Sequence, residues 1–528
     1  MNASIGISAQ NGALGWLTVA ACCVATVVAG GRWLRVAQRE HYLPDAVSRF
    51  AVRWWWCSPA NAVAGVLGLA GLVVAGWLPV AGLVTAAVVA VAPFGLSIRG
   101  RTAPLALTRR LRTLAAVWVA LQAGAVAAGV VGGEGALAAA AAALAAPALV
   151  DVALALTAPA ERRLAGRFVD QATARLRRVN PTVVAITGSY GKTSTKGYVA
   201  HLAAARRSVV ASPASFNNRA GLARTVNEHL APGTEVFVAE MGTYRHGEIA
   251  ALCRWIPPDI AVITAIGPVH LERFGTEDRI VEAKSEILTR APVVVLAVDD
   301  VRLARLAERC EAEGKRVWRC ATTPGVAAGA PEPERVVVVT SGVSGLDVAV
   351  GDRAVAKSVP SIAQPGNVAC AVAVALELGV PDDAIAERIA SLPTAAHRLE
   401  PGRGASGSIV LDDTYNANPA GAAVAVARLA AEGAASARRV VVTPGMVELG
   451  RRQREENARF AEAAATVATD VVVVGRTNRA ALVAGVRAAA GARLHVVSTR
   501  EQAVAWVRDT LGPGDAVLYE NDLPDHYP

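Results

Sequence analysis

The chain has 528 residues, 53% of them hydrophobic, with a mean hydropathy of +0.36 and a net charge of +9. This composition is too apolar for a wholly soluble enzyme of several domains, so part of the chain is predicted to lie in lipid. Residues 1–158 hold ten arginines, no lysine and four acids, and a basic surplus in an apolar region indicates a membrane surface rather than nucleic acid as partner.

Five apolar segments come first in the chain, each close to the roughly 20 residues that a helix needs to cross a bilayer. They lie at about 12–30, 59–78, 80–98, 113–133 and 135–158, and they predict a transmembrane α-helical bundle of about five helices over residues 1–158. A cleaved signal peptide is the alternative for the first segment, but residues 1–10 lack a basic start. The seven cysteines show no CxxC pair, so neither a disulfide framework nor a zinc site is predicted.

The arginines of this region predict its orientation. They cluster in the first and third loops and again after the last segment, whereas the second and fourth loops have none. Basic loops stay inside, so five spans place the N-terminus outside and everything after residue 158 in the cytoplasm, where ATP is available. Residues 159–180 alternate arginine with apolar residues and predict a basic juxtamembrane linker helix at the membrane surface.

A strand, a glycine-containing loop and a helical pattern follow the linker. The strand is Thr182–Thr187, and the loop residues are Gly188, Ser189, Tyr190, Gly191, Lys192, Thr193 and Ser194. Such a loop turns backbone amides toward phosphate oxygens, while Lys192 can neutralise the β- and γ-phosphates and the Thr193 hydroxyl can ligate magnesium. Only two residues separate the glycines, fewer than in the usual phosphate loop, and a chance glycine turn is the alternative. The pattern predicts ATP and Mg²⁺.

The shortened loop T-G-S-Y-G-K-T-S-T resembles the Mur ligase family, and further motifs continue the resemblance in order over roughly residues 180–510. They lie at 215–221, 239–249, 266–275, 282–287, 366–367, 397–400, 412–419 and 445–450, and the later ones are most similar to the D-alanyl-D-alanine-adding branch. The resemblance implies a P-loop central ATP-binding domain with a mostly parallel sheet at 181–395. It also implies a Rossmann-like C-terminal α/β domain at 396–528, so the fold class is α/β behind a transmembrane bundle.

The resemblance also implies site residues. Catalytic roles fall on Lys192, Glu240, His270 and Lys284, and magnesium ligation falls on Thr193, Glu240, His270 and Lys284, the last as a carbamylated lysine. Nucleotide contacts fall on Asn218 and Asn367 near adenine, Asp413 at the ribose, Arg398 at the phosphates and Asn416 on the same loop as Asp413. Each of these residues also has a purely structural interpretation. Without the resemblance, Glu240 is a solvated residue at the end of a strand, and His270 makes a structural hydrogen bond. Lys284 is an exposed lysine on a helix, and the Asn-rich loop around Asn416 is a turn.

The implied activity is ATP-dependent amide-bond formation through an acyl phosphate, in envelope synthesis at a bacterial cytoplasmic membrane. The family's uridine-nucleotide-binding domain has no counterpart here, and residues 519–524 form an acidic turn where the D-alanyl-D-alanine-adding branch has a basic one. The carboxylate acceptor is therefore left open as nucleotide- or lipid-linked, with an amino acid or dipeptide as the amine donor. The oligomeric state is not determined by the sequence.

Two other functions remain open at this stage. One is a related membrane ligase that makes another amide polymer or a γ-linked peptide, which differs only in substrate. The other is a membrane scaffold that binds nucleotide without catalysis. Retention of Lys192, Glu240, His270 and Lys284 together argues against the scaffold, because a protein without catalysis does not need a metal shell.

Overall fold

The computed structural model describes residues 12–96, 105–214, 216–269, 271–327, 329–342, 345–359, 363–393, 399–414, 418–432, 437–489 and 491–523. Its contacts divide the chain into two compact units, with the boundary between Ala165 and Gly166. The first unit is helical and the second contains two β-sheets with helices.

The helices of the first unit pack through small residues. They are α1 Ala13–Arg39, α2 Ala46–Trp55, α3 Pro59–Ala75, α4 Gly82–Val91, α5 Arg109–Val131, α6 Gly135–Leu144 and the beginning of α7 Ala146–Val179. A methyl group on Gly82 would lie 2.6 Å from Cγ2 of Thr18, and one on Gly68 would lie 3.1 Å from Val88. Small residues let apolar helices approach closely, as in membrane bundles.

Buried polar side chains of the first unit form hydrogen bonds with backbone groups at the ends of helices. The Asp151 carboxylate accepts hydrogen bonds from the backbone N–H groups of Val47 at 3.3 Å and Ser48 at 2.7 Å, in the first turn of α2. The Arg32 guanidinium donates to the Ala92 carbonyl at 2.5 Å, just beyond α4. Helix ends leave backbone groups without partners, and in an apolar environment a side chain must supply them.

The lengths of these helices bear on the predicted spans. Among the described residues, two helices, α1 and α5, are each long and apolar enough to cross a membrane, and the number rises to at most four if the bent pairs α2–α3 and α6–α7 each count as one span. Helix α4 has 10 residues, a rise of about 15 Å against the roughly 30 Å of hydrocarbon. The five spans and the orientation deduced from them stay predictions.

The basic linker is also part of a longer element. Residues 159–179 continue α7, which runs for 34 residues from Ala146 to Val179 with Pro159 inside it. Alanine, leucine, glutamate and arginine on both sides favour the helix and offset the proline, which alone costs about 3 kcal/mol. The boundary at residue 158 is therefore not a break in secondary structure.

The first sheet of the second unit has nine strands in the order β2-β3-β1-β4-β5-β6-β7-β8-β9. The strands are β1 Thr182–Thr187, β2 Val209–Ala211, β3 Val236–Glu240, β4 Ile260–Ile263, β5 Val293–Ala297, β6 Arg316–Ala321, β7 Val336–Gly342, β8 Gly345–Val350 and β9 Arg353–Val359. Neighbours are parallel up to β7, and their valine-rich central strands are buried on both faces. This confirms the predicted mostly parallel α/β fold.

Short alternating runs rich in valine and glycine at 321–360 predict a small β insertion, but β7, β8 and β9 instead extend the same sheet. Backbone pairing of Arg319–Ala321 with Val336–Val338 joins β7 to β6, and β8 and β9 follow as antiparallel strands. The accompanying helices are α8 Lys192–Ala203, α9 Arg219–His229, α10 Glu248–Cys253, α11 Leu271–Phe274, α12 Glu277–Ser285, α13 Val301–Ala312, α14 Pro365–Glu377 and α15 Asp382–Ile389.

The second sheet has six strands in the order β10-β11-β15-β12-β13-β14. They are β10 Glu400–Arg403, β11 Ile409–Asp413, β12 Arg439–Thr443, β13 Asp470–Val474, β14 Arg493–Val497 and β15 Ala516–Glu520. The helices are α16 Pro419–Ala431, α17 Gln453–Val467, α18 Arg479–Ala489 and α19 Arg500–Thr510. The five strands after β10 are parallel and were expected from the sequence, whereas the antiparallel edge strand β10 was not. The predicted boundary at 395/396 lies outside the described residues.

Candidate active site

The glycine-containing loop follows β1, between the neighbouring strands β3 and β4. Loops at the carboxyl ends of such strands are where ligands bind in open parallel sheets. Gly191 has φ +76° and precedes the first turn of α8, and a methyl group on it would lie 2.1 Å from Oδ1 of Asn367. Glycine is therefore required here, and the N-terminus of α8 offers its amides to an anion.

The rest of the loop is anchored to the segment after β4. The Ser189 amide donates to the Ala265 carbonyl at 2.7 Å, and its hydroxyl donates to the Gly267 carbonyl at 3.2 Å and accepts from the Gly267 amide at 3.1 Å. Tyr190 covers Gly267, where an added methyl group would lie 2.3 Å from its hydroxyl. These contacts hold the loop rigid before any ligand binds, which lowers the ordering cost of binding.

Two lysines converge on one carbonyl of the loop. Lys192 Nζ donates to the Gly188 carbonyl at 2.7 Å, and Lys284 Nζ donates to the same oxygen at 2.9 Å. Lys284 is only 3% exposed, which excludes the exposed helix lysine as its role. Burial, and next the neighbouring charge of Lys192, hold the pKa of Lys284 well below its ordinary value. A lysine with a lowered pKa is present partly as the neutral, nucleophilic amine.

Glu240 lies at the end of β3 and is 1% exposed, so it is not a solvated cap. Its Oε2 accepts from the Thr193 hydroxyl at 3.0 Å and from Lys196 Nζ at 3.1 Å. Its Oε1 accepts from the Asn217 side-chain amide at 3.1 Å. A carboxylate and a hydroxyl oxygen at this separation are the hard ligands that Mg²⁺ takes in proteins, so Thr193 and Glu240 fit the ion.

Two of these partners were missed by the sequence reasoning. Lys196 is one helical turn after Lys192, a spacing that places both on one face of α8 and could have indicated it. Asn217 was overlooked in favour of its neighbour Asn218. In the structure the Asn218 side chain caps α9, accepting from the Gly221 amide at 2.9 Å, which is a structural task.

Of the remaining predicted residues, three lie in the described part of the chain and three lie outside it. Asn367 is buried and packs against Gly191, and Asp413 ends β11 beside Glu520 on β15. Three predicted residues, His270, Arg398 and Asn416, lie outside the described residues. Ser194 lies in the first turn of α8.

The acidic turn after β15 contains a buried acid. Glu520 is fully buried, and no ion pair of the described residues involves it. Burial, and next the neighbouring Asp413, raise the pKa of Glu520 well above its ordinary value. The turn itself is fixed, since the Asn521 amide donates to the Asp413 carbonyl at 3.0 Å and its side chain donates to the Gly445 carbonyl at 2.6 Å.

Ion pairs connect the segment after β4 with the C-terminal sheet region. Arg452 donates to Glu277 at 2.7 Å and to Glu456 at 2.7 Å, and Glu277 also pairs with Arg302. Tyr190 lies beside these charges, and the pKa of its phenol is raised, first by burial and then by Glu277. The phosphate loop is thus close to a polar contact between the two sheet regions.

Two family models match the second unit. The Mur ligase middle domain matches residues 186–374, which contain the phosphate loop, Glu240 and Lys284. The Mur ligase, glutamate ligase domain matches residues 397–519, which contain the second sheet from β10 to β15 almost completely.

Individual proteins agree with the family models. The UDP-N-acetylmuramoyl-tripeptide–D-alanyl-D-alanine ligase of Mycobacterium leprae is 32% identical over 363 residues, covering 64% of this chain and 70% of the relative. The ligase of that name from Escherichia coli is 30% identical over 306 residues, covering 57% of this chain and 66% of the relative. The crystal structure of MurF ligase from Thermotoga maritima in complex with ADP superposes with a TM-score of 0.56 at 26% identity, covering 68% of this chain and 80% of that chain. With its phosphate loop, buried lysines and strand-end carboxylate in a fold shared with these proteins, the chain belongs to the Mur ligase family of ATP-dependent ligases that join an acid to an amino acid.

Proposed function

We propose that this ligase is of the D-alanyl-D-alanine-adding type and works in bacterial envelope synthesis. It activates the carboxylate of a nucleotide- or lipid-linked acceptor and joins it to the amine of a dipeptide. The relatives' names and the motifs near the C-terminus support this substrate class. The observation that carries the proposal is the convergence of Lys192 and the buried Lys284 on the Gly188 carbonyl, at the same loop as the Thr193–Glu240 contact.

The reaction proceeds by two transfers. An oxygen of the acceptor carboxylate attacks the γ-phosphorus of ATP, ADP leaves, and an acyl phosphate forms. The amine then attacks the acyl carbon, phosphate leaves and the amine loses a proton, which gives the amide. Both steps need positioning and charge neutralisation more than covalent help from the protein, and Lys192 with the α8 N-terminus supplies these at the phosphates.

Thr193 and Glu240 are the residues that would hold magnesium. When bound, the ion neutralises the phosphate oxygens during transfer. His270 stays a predicted ligand of a second ion. We also propose that Lys284 carries a carbamate: its neutral amine adds to CO₂ and releases one proton, which creates a carboxylate next to the loop. The buried position and lowered pKa of Lys284 support this addition.

The nucleotide contacts are part of the proposal. Asn367 lies against the loop, which supports a role beside the nucleotide, and Asp413 at a strand end has a position suited to the ribose. The roles of Asn218, Arg398 and Asn416 stay predictions.

We propose that the first unit holds the enzyme in the bacterial cytoplasmic membrane, with the lipid bilayer as its partner and the catalytic sheets in the cytoplasm. Helices α1 and α5 support this, as do exposed apolar side chains such as Val27, 72% exposed, and Trp77, 80% exposed. In cell fractionation the full chain should remain in the pellet after an alkaline carbonate wash and dissolve only in detergent. Release into the wash would contradict membrane anchoring.

A related ligase for another amide polymer or γ-linked peptide is the second candidate. The buried Glu520 at the end of β15 favours it, because burial raises the pKa of this acid, and an acidic turn cannot hold the carboxylate end of a dipeptide as a basic turn would. A scaffold without catalysis is disfavoured by the convergence of Lys192, Lys284 and Glu240 on one loop.

The deciding experiment is ATP-dependent phosphate release by detergent-solubilised full chain. Stimulation that requires both UDP-N-acetylmuramoyl-tripeptide and D-alanyl-D-alanine is the expected result. ATP binding that is lost in Lys192→Ala, without any stimulation by this pair, would retain the ligase chemistry and reject this substrate pair. Each substrate alone serves as a control for uncoupled hydrolysis.

A further inference from the structure

Lys196 is a buried cation that the reaction described above does not use. Its side chain is 6% exposed, and its Nζ lies 3.1 Å from Oε2 of Glu240, whose side chain is 1% exposed. The same Nζ donates to the Ala214 carbonyl at 2.5 Å. A buried ammonium is retained only where its charge is compensated, so this lysine and Glu240 form one electrostatic unit.

Lys196 shares its carboxylate oxygen with the candidate metal site. Oε2 of Glu240 also accepts from the Thr193 hydroxyl at 3.0 Å, and these two oxygens are the ones that fit a magnesium ion. An ion that binds between them therefore meets a carboxylate whose charge is already balanced by an ammonium. The second oxygen, Oε1, is held by Asn217, so the carboxylate cannot turn away from Lys196 without losing that bond.

Lys196 also connects Ala214 to this carboxylate. Ala214 has φ +44°, a left-handed conformation that costs a residue with a side chain free energy. Its carbonyl is held by Lys196, and Asn217 also reaches Glu240. Orientation of a metal ligand by fixed neighbours is how proteins set metal affinity.

We propose that Lys196 is a positioning residue that makes divalent-metal binding depend on nucleotide. In the nucleotide-free protein the ammonium of Lys196 already balances the charge of Glu240, so a bare divalent cation binds weakly. Nucleotide phosphates at the loop add the missing negative charge, and the metal then binds between Thr193 and Glu240 while Lys196 keeps the carboxylate in place. The inference rests on the proposed nucleotide and metal site, and it concerns the order in which the two ligands are held.

The test is titration of the full chain in detergent with Mn²⁺, followed by electron paramagnetic resonance, with and without ADP. Wild-type protein should bind Mn²⁺ at least tenfold more tightly with ADP than without it. Lys196→Gln keeps a hydrogen-bond donor but removes the charge, and it should bind Mn²⁺ without ADP at least tenfold more tightly than wild type. Lys196→Arg keeps the charge and should behave as wild type does.

Lys357→Gln, which removes a charge from an exposed lysine in β9, is the matched control and should leave both affinities unchanged. Any carbamate on Lys284 is common to all these proteins and cancels in the comparison. Equal Mn²⁺ affinity of the wild type with and without ADP would overturn the inference. This comparison uses only the wild type, so it can be made even if Lys196→Gln does not fold. Absence of Mn²⁺ binding in the presence of ADP would instead overturn the proposed metal site itself.

Discussion

Glu240 and Glu520 each end a strand and are both buried, but their neighbours differ. Glu240 accepts hydrogen bonds from Thr193, Lys196 and Asn217, which stabilise its negative charge. Glu520 instead has a second acid, Asp413, as its neighbour in the parallel strand pair. Burial and the neighbouring Asp413 raise the pKa of Glu520 well above its ordinary value, so at the residue scale Glu520 holds its proton to higher pH than an exposed glutamate does.

Glu520→Gln should stabilise the protein increasingly as the pH rises. The pKa of Glu520 is raised in the folded state, so its stabilising protonated form is fully present below the unfolded value near 4.5 and is lost as the pH rises through the folded pKa. Between these two pKa values the free energy of unfolding of the wild type falls by about 1.4 kcal/mol per pH unit relative to that of the glutamine variant. Thermal unfolding midpoints at pH 5, 6, 7 and 8 measure the difference, with Glu334→Gln on an exposed turn as control. A difference that does not grow with pH would contradict the assignment.

At the element scale, strand β1, the loop and helix α8 form one strand–loop–helix motif that is suited to binding phosphate. The strand fixes where the loop starts, and the left-handed Gly191 allows the chain to enter α8 with its first amides exposed toward the site. Ser189 and Tyr190 bind the loop to the segment after β4, so the phosphate site depends on two neighbouring strands. The geometry of the loop therefore comes from the elements around it.

Gly191→Ala should abolish nucleotide binding while the fold persists. The added methyl group would lie 2.1 Å from Asn367 Oδ1, and the φ of +76° adds about 1–2 kcal/mol of strain. Gly197→Ala in the same helix is a matched control, because its methyl group would meet nothing closer than Pro393 at 3.8 Å. Binding of a fluorescent ATP analogue distinguishes the two variants. Comparable affinity in both would show that the loop adapts to a side chain at position 191.

At the scale of the whole molecule, the two sheet regions of the second unit meet through polar contacts. Gly450 lies against Leu271, where an added methyl group would come within 3.1 Å of its Cβ, and Arg452 reaches Glu277. The ion pair is partly exposed, with Arg452 at 43%, so it contributes only about 0–1 kcal/mol. Weak polar contacts of this kind allow the regions to separate and close again around a nucleotide.

Arg452→Gln should lower kcat/KM for ATP by about two- to fivefold. A decrease of this size corresponds to the small interaction free energy of a partly exposed ion pair. Arg459→Gln is the control, since Arg459 lies in α17, which begins directly after Arg452, but forms its pairs with Glu455 and Glu456 on its own helix. Steady-state phosphate release at varied ATP measures both variants. An equal loss in the two would indicate a general effect on the helix rather than on the contact between the sheets.

The positions of several strands and the chemistry of the loop could be predicted from the amino-acid sequence. Short apolar runs predict strands at 182–187, 236–240, 293–297, 439–443 and 470–474, and these are the observed bounds of β1, β3, β5, β12 and β13. Short β-branched runs that are buried on both faces have few other stable conformations. The phosphate loop was predicted because its glycines, lysine and threonine are consecutive. Such local patterns are sufficient when all the interacting groups lie within one or two turns of chain.

Only the tertiary structure decided which distant groups meet. Lys196 and Glu240 are 44 residues apart, and Lys284 and Gly188 are 96 apart, so their contacts depend on the order of strands around β1. The division of the apolar region into full helices and short, bent ones was also beyond the sequence, since hydropathy sums composition and does not register where a helix turns by 109°. Packing determines where helices break and which buried charges are paired, and that information is carried by contacts between elements.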